Sequence, residues 1–305
     1  MRKLEKIWID GKLVAWDEAR VHVLTHSLHY GMAAFEGIRC YKRADGRASI
    51  FRLRDHLDRL YDSCKIIAVQ IPYTQEALAE VCLSVLRANN LLEAYLRPLV
   101  FLGDESMGIG ATDLSTRVAV IAYEWGAYLG EEGLRRGIRA KVSSFSRYPV
   151  NAGMTMGKLT GQYINSILAK REALSLGFDE AIMLDVDGYV AEGSGQNVFI
   201  VRRGKLITPP PSAAILAGIT RDSVMRMARD DGLEAVERVF SRDEMYIADE
   251  VFFAGTATEV TPVREVDGRT IGSGEPGPIT KKLQQEYFEI VKGAKTRYPE
   301  WLTFL

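Results

Sequence analysis

The sequence predicts an α+β protein of two domains, on three observations. Its 305 residues exceed what one hydrophobic core usually organises. Stretches of period two and of period 3.6 follow one another without the regular strand–helix alternation that builds a parallel α/β sheet. A glycine-rich, charged stretch with neither period, residues 126–137, separates two patterned regions. The expected division is a smaller N-terminal domain over 1–124, an interdomain loop over 125–137 and a larger domain over 138–305.

The elements follow in order. Residues 6–9 and 12–16 flank Asp10-Gly11, a strong two-residue hairpin signal. Residues 37–41 and 48–51 read as a second strand pair around Asp45-Gly46. Leu53, Leu57, Leu60, Tyr61, Cys64 and Ile67 recur at helical spacing. Thr74 is placed to cap a helix carrying Leu78, Val81, Val85 and Leu86. Residues 94–102 and 117–124 are apolar runs of strand length.

After the loop, a strand starts at Ile138, and a small, flexible stretch over 151–156 leads into a helix that stops near Gly177. Strands follow at 180–184, 189–192 and 197–201, with Asp187-Gly188 as a turn. A helix runs from Thr220 to Asp231-Gly232, and Ser241-Arg242-Asp243-Glu244 has capping-box spacing. A strand at 250–253, a turn at Asp267-Gly268 and a helix over 279–291 complete the chain.

Composition excludes several classes. A net charge of −1 and a pI near 6.5 give no electrostatic footprint for nucleic acid. Cys40, Cys64 and Cys82 have neither metal-ligand spacing nor even pairing, which suggests a reducing compartment. His22, His26 and His29 lie in a segment of strand character without matching carboxylates, so no metal site is expected. The N-terminus lacks the apolar core of a signal peptide, and no run nears the ~20 apolar residues of a membrane span. The expectation is a cytoplasmic protein with no membrane or nucleic-acid partner.

Five features could carry chemistry, each beside a plainer reading. Lys158, in Gly157-Lys158-Leu159-Thr160-Gly161, stands just ahead of a helix start, where positive charge is disfavoured; burial and a positive surrounding would push it toward its nucleophilic form. The plainer reading is a solvated surface lysine. Gly218-Ile219-Thr220-Arg221-Asp222 opens a helix whose first amides and Thr220 hydroxyl could hold a phosphate, or it is an ordinary threonine-capped helix. Gly255-Thr256-Ala257-Thr258-Glu259 ends a strand with small residues that let amides approach an anion, or forms a tight turn.

Glu192, bracketed by glycines between two strands, could hold a protonated heterocycle nitrogen, or be a loop carboxylate. Arg59, one turn after Asp55 and His56, could reach a phosphate or pair locally. Gly153 to Thr160 imitates a nucleotide-binding P-loop, but three residues separate the glycines and Leu159 follows the lysine, so kinase or ATPase chemistry is rejected.

Together these segments resemble the branched-chain amino acid aminotransferases, fold-type IV enzymes dependent on pyridoxal 5′-phosphate. The resemblance runs from Trp8 to Lys292 through HYGMAAFEGIRCY, RDHLDRL, AYLRPLVF, EWGAYLG, GKLTGQYINS, DGYVAEGSGQN, TPP, GITRD and ADEVFFAGTATEVTPV, in that order. It implies a smaller N-terminal α/β domain and a C-terminal domain with a barrel-like β core.

It also implies roles. Lys158 would carry the cofactor aldehyde as a Schiff base and shuttle the α-proton. Glu192 would pair with the ring nitrogen. Arg59, Ile219, Thr220 and Thr256 would hold the phosphate, and Tyr163 the ring hydroxyl. Phe35, Tyr30, Tyr128, Trp125 and Ile109 would line an apolar pocket for valine, leucine or isoleucine. Arg97, with Tyr30 and Tyr128, would receive the glutamate γ-carboxylate; Tyr95 with the amides of Thr256 and Ala257 would take the α-carboxylate. Trp125 and Tyr128 would make the interdomain loop a lid as well. Gln196 departs from the glutamate that relatives often carry, four positions past Glu192.

The implied reaction moves an amino group between branched-chain L-amino acids and 2-oxoglutarate by a ping-pong route. The implied assembly is a homo-oligomer, dimer or hexamer, with Ile109 reaching a neighbour's site. Other readings keep fold and cofactor but change the substrate: a D-amino acid or (R)-amine transaminase, or an aminodeoxychorismate lyase. Two further readings are a non-catalytic cofactor carrier and an interaction scaffold.

Overall fold

The computed structural model describes residues 2–126 and 128–305. They form two compact units, each with its own sheet. The first comprises the N-terminal segment through Trp125, Gly157–Gln162 and Ile290–Leu305; the second comprises Gly126–Met156 and Tyr163–Glu289.

In the first unit, β1 (Lys6–Ile9) and β2 (Lys12–Ala15) pair antiparallel across Asp10 and Gly11, whose φ values of +47° and +91° suit the predicted turn. A short helix, α1 (His26–Tyr30), stands where strand character was expected. Gly31 ends it at φ +68°, and Val23 and Leu28 beside it are exposed, so no alternating face is buried there. Then come β3 (Ala33–Phe35), β4 (Ile38–Lys42), β5 (Ala48–Phe51), α2 (Leu53–Ile66) and α3 (Gln75–Ala88). Thr74 caps α3, its hydroxyl accepting from the Ala77 amide at 3.2 Å. Strands β6 (Ala94–Leu102) and β7 (Thr116–Tyr123) follow.

Every pairing in this eight-stranded sheet is antiparallel, in the order β5-β4-β6-β7-β1-β2, with β3 also beside β6. Alternation sorts its side chains. Leu96, Val100, Val118 and Val120 join Leu57, Leu60, Leu78 and Leu86 of α2 and α3 in one core. Tyr95, Arg97, Ala119 and Tyr123 therefore occupy the other face.

The second unit begins with α4 (Gly130–Arg136), a helix inside the segment read as loop. Its acidic first turn and basic last turn match the helix dipole, and Glu132 pairs with Arg135 and Arg136 one turn on. Next come β8 (Ile138–Val142), α5 (Val150–Gly153), which is one ordered turn in the stretch read as flexible, and α6 (Tyr163–Ser175). The remainder is β9 (Glu180–Leu184), β10 (Val190–Gly193), β11 (Asn197–Arg202), β12 (Lys205–Thr208), α7 (Ile219–Asp230), β13 (Ala235–Glu237), α8 (Arg242–Tyr246), β14 (Glu250–Gly255), β15 (Glu259–Val266), β16 (Arg269–Thr270) and α9 (Pro278–Val291). The expected capping box of α8 does not form: Ser241 makes no cap bond, and Glu244 is held by Arg238 at 2.5 Å.

The nine-stranded sheet runs β10-β9-β8-β15-β14-β11-β12-β13, with β16 beside β15. Among the described residues its end strands do not pair, so it is a curled half-barrel. Helix α6 is inverted in polarity. It buries Asn165, Ser166, Ala169 and Ala173 and exposes Ile164, Ile167, Leu168 and Leu174.

The last strand, β17 (Leu302–Phe304), pairs with β5. The sequence division placed all of 138–305 in one domain, whereas the compact units group 157–162 and 290–305 with the N-terminal segment. The cause is backbone pairing: β17 completes the first sheet, and the Lys158 segment bonds to β3.

Candidate active site

Lys158 belongs to the first unit and is held there by its backbone. Its amide donates to the Ser63 hydroxyl at 2.9 Å, and its carbonyl accepts from the Phe35 amide at 3.1 Å. Leu159 bridges to Ala34. The Gly31 carbonyl accepts both the Thr160 hydroxyl at 2.8 Å and the Gly161 amide at 3.0 Å. The approach is too close for side chains, since a Cβ on Gly31 would meet the Gly161 Cα at 2.8 Å. The Lys158 ammonium lies 5.0 Å from the centroid of the Phe35 ring.

Helix α2 faces this segment with a buried ionic cluster. Glu36 is fully buried and accepts from Arg59 Nε at 2.7 Å, Arg59 Nη2 at 2.9 Å and His56 Nδ1 at 2.7 Å. Burial pushes the Glu36 carboxyl up, but Arg59 and His56 together outweigh it and hold it well below the usual carboxylate range. Burial, with the charges of Arg59 and Lys158, pushes His56 below its ordinary value against the pull of Glu36. His56 is therefore neutral, its Nδ1 proton facing Glu36, and its buried Nε2 has no partner.

The opposite face of the first sheet carries a cationic centre in an aromatic box. The Arg97 guanidinium lies 4.6 Å from the Phe35 centroid and 5.7 Å from that of Tyr95, and its Nη2 meets the Tyr123 hydroxyl at 3.3 Å. Tyr95 packs edge-on against Trp125 at 4.7 Å. Gly37 makes room for Tyr95, whose hydroxyl would lie 1.8 Å from a Cβ there. Arg97 Nε is buried without a hydrogen-bond partner. Burial raises the Tyr123 phenol, with Arg97 opposing. Of the other expected pocket residues in this unit, Tyr30 packs on His26 at 4.5 Å, and Ile109 is 95% exposed.

In the second unit, a register shift between Val190 and Glu192 re-aims Glu192. Its carboxylate pairs with Arg147 at 2.9 Å and accepts from Asn197 Nδ2 at 3.2 Å and the Leu216 amide at 3.1 Å. Asn197 also donates to the Leu216 carbonyl at 2.9 Å, and a Cβ on Gly218 would strike its carboxamide at 1.9 Å. The loop before α7 is thereby tied to the strand bearing Glu192.

Gly218, not Thr220, is the N-cap of α7; Ile219 and Thr220 occupy its first turn. The Thr220 hydroxyl is 1% exposed and has no hydrogen-bond partner. Thr256 and Ala257 form the turn between β14 and β15. Gln196 lies over Gly193 and Gly255 and accepts from the Thr258 hydroxyl at 3.4 Å. Tyr163 starts α6, half-buried, and Tyr128 is partly exposed, with the Lys170 ammonium 5.2 Å from its ring centroid. Among the described residues, no group of three or more His, Cys, Asp or Glu could hold a metal ion.

Sequence reasoning did not single out Glu36, Ser63, Tyr123, Arg147 or Asn197. Glu36 left a trace as the lone acid in the run Ala33-Ala34-Phe35-Glu36-Gly37-Ile38. Arg147 left none, because its partner Glu192 is remote in sequence.

The first unit thus holds an amine fixed by its backbone, and the second holds a carboxylate braced by an arginine and a buried, unpaired hydroxyl at a helix start. Residues 33–266 match the family model of amino-transferase class IV. The branched-chain-amino-acid aminotransferase of Pseudomonas aeruginosa strain PAO1 is 53% identical over 299 residues, covering 98% of this chain and 97% of the relative. The crystal structure of the Escherichia coli branched-chain amino acid aminotransferase superposes at a TM-score of 0.96 with 46% identity, covering 98% of this chain and 99% of that one. That of the branched-chain amino acid aminotransferase from Thermobaculum terrenum, in its PLP-form, gives a TM-score of 0.93 with 37% identity, covering 100% of this chain and 99% of that one. The chain belongs to the branched-chain amino acid aminotransferase family of class IV.

The residues present fit pyridoxal 5′-phosphate. The unpaired Thr220 hydroxyl at the start of a 12-residue helix is a donor awaiting an anion, and the braced Glu192 is an acceptor suited to a ring N–H.

Proposed function

We infer that the chain is a pyridoxal 5′-phosphate-dependent transaminase that exchanges amino groups between L-valine, L-leucine or L-isoleucine and 2-oxoglutarate by a ping-pong route. One observation carries the reading. The Lys158 amine and the Arg97 guanidinium flank one ring, that of Phe35, at 5.0 and 4.6 Å from its centroid. The reactive amine and a carboxylate receptor thus share one aromatic neighbour, which supports their serving one pocket.

When bound, the cofactor supplies an electrophilic carbon and an electron sink. Lys158 would hold its aldehyde, and the lysine amine would carry the proton away from the substrate α-carbon. Glu192 keeps the ring nitrogen protonated, and Arg147 keeps Glu192 oriented. Arg59, Ile219, Thr220 and Thr256 bind the phosphate, and Tyr163 the ring hydroxyl. Tyr95 with the amides of Thr256 and Ala257 takes the α-carboxylate. Phe35, Trp125 and Ile109 supply apolar walls, and Arg97 with Tyr30 and Tyr128 receives the γ-carboxylate of glutamate. An apolar side chain leaves Arg97 to the Tyr123 hydroxyl; a γ-carboxylate takes up its unpaired Nε–H. One pocket can serve both donors.

The test is a panel of amino donors against 2-oxoglutarate, run beside Lys158→Ala. The three branched-chain L-amino acids are expected to react and D-alanine is not. Lys158→Ala is expected to lose the visible absorbance band and roughly 10³-fold or more of the rate while staying folded. Near-normal turnover by that variant ends the assignment.

The working form is a homo-oligomer, dimer or hexamer. The exposed leucines and isoleucines of α6 and the exposed Ile109 support this. The protein works in the cytoplasm. Support comes from three unpaired buried cysteines, Cys40, Cys64 and Cys82, whose thiols burial pushes up to about 12. Among the described residues no helix is long and apolar enough to cross a membrane.

A further inference from the structure

Arg59 and Ser63 are four residues apart on α2 and so share one helix face. The Ser63 side chain is fully buried. Its hydroxyl donates to the Arg59 carbonyl at 2.7 Å and accepts from the Lys158 amide at 2.9 Å. A serine hydroxyl has one proton and two lone pairs. Here the helix carbonyl takes the proton, which fixes the rotor and leaves a lone pair facing Lys158. The peptide on the other side of Lys158 is fixed by the Phe35 amide, and the next residue, Glu36, grips the Arg59 guanidinium. Arg59 and Lys158 are therefore joined twice, through Ser63 along the helix and through Phe35-Glu36 along the strand.

We propose that Ser63 is a positioning residue for the transamination: it sets the register of the Lys158 backbone against the arginine of α2, and so the reach of the lysine amine. The proposal rests on the reading of Lys158 as the cofactor-bearing residue. Ser63 touches neither cofactor nor substrate in this role. Its loss leaves the Lys158 amide without its acceptor and lets the segment drift relative to Arg59. A drift of about 1 Å at a reacting group can cost on the order of 10²-fold in rate. An interaction needed for orientation lowers kcat more than it raises KM.

The experiment compares holoenzyme and Ser63→Ala by three readouts. Hydrogen exchange at the Lys158 amide is expected to be about 10²-fold or more slower than in an unstructured chain, and to accelerate about tenfold or more in Ser63→Ala while the α2 amides keep their protection. The pH midpoint of the visible band is expected to move by about half a unit or more, because the lysine nitrogen no longer sits in the same field. The rate constant kcat is expected to fall about tenfold or more with KM changing less than about threefold. A merely structural serine would lower the melting temperature and leave the midpoint in place.

A Ser63→Ala enzyme with unchanged exchange, midpoint and kcat overturns the proposal. If that variant does not accumulate as folded protein, the unaltered holoenzyme decides alone: a Lys158 amide exchanging at the unstructured rate overturns the proposal, and a protected one supports it. Failure of the underlying reading shows elsewhere, as a visible band that survives Lys158→Ala.

Discussion

A fully buried carboxylate needs compensation, and Glu36 finds it in Arg59 and His56 within 2.9 Å. Removing one partner from such a cluster strands the other. Glu36→Gln is expected to destabilise the protein by about 3–5 kcal/mol in denaturant titrations, because Arg59 loses a buried counter-charge that holds it with two hydrogen bonds. The same cluster sets an acid response. Glu36 is held below its ordinary value of 4.5, so its stabilisation is full above that pH and is lost as pH falls through the folded value. His56 is held below 6.5 in the fold, so the unfolded chain takes up its proton first and stability begins to fall as pH drops below 6.5. Stability measured from pH 7.5 downward should decline from about 6.5 and more steeply below about 4.5. Glu36→Gln should remove the lower part of that decline.

At the scale of elements, the segment bearing Lys158 depends on a close backbone crossing at Gly31 and Gly161. Gly31→Ala faces two obstacles: φ is +68°, and the new Cβ lies 2.8 Å from the Gly161 Cα. Gly46→Ala is its control, with φ +83° and nothing within 4 Å. The control should cost about 1–2 kcal/mol, the penalty of a left-handed backbone alone. Gly31→Ala should cost more and also lower kcat, whereas the control should leave kcat alone. The long elements were legible in the sequence because their periods or turns repeat: the Asp10-Gly11 hairpin, the Leu53–Ile66 helix, the Thr74 cap. The helices of four to seven residues, α1, α4 and α5, were not, since two turns or fewer give no period to read. Charge order offered the remaining cue for α4. At the site, Lys158, Glu192 and Arg97 were named from motifs, but Arg147 and Ser63 act through space on partners far along the chain, and no local pattern records that.

For the whole molecule, the inverted helix α6 is the clearest anomaly. Burying large apolar residues is worth about 1.5–3 kcal/mol each, yet this helix buries alanines and leaves Ile164, Ile167 and Leu168 exposed. The homo-oligomer proposed above would cover that face with a second copy. Sedimentation velocity is expected to report at least two chains per particle, and Ile167→Glu to lower that mass. A monomeric native protein would refute the assembly.

The pairing of β17 with β5 has a consequence for synthesis. The first sheet recruits Leu302–Phe304 from beyond the second unit. That strand is synthesised after the whole second unit, so the opening sheet can close only once it has emerged, long after its other strands. Until then the edge of β5 stays bare. A variant lacking residues 302–305 should present that edge to other strands and be prone to aggregate although no residue of the chemistry is missing.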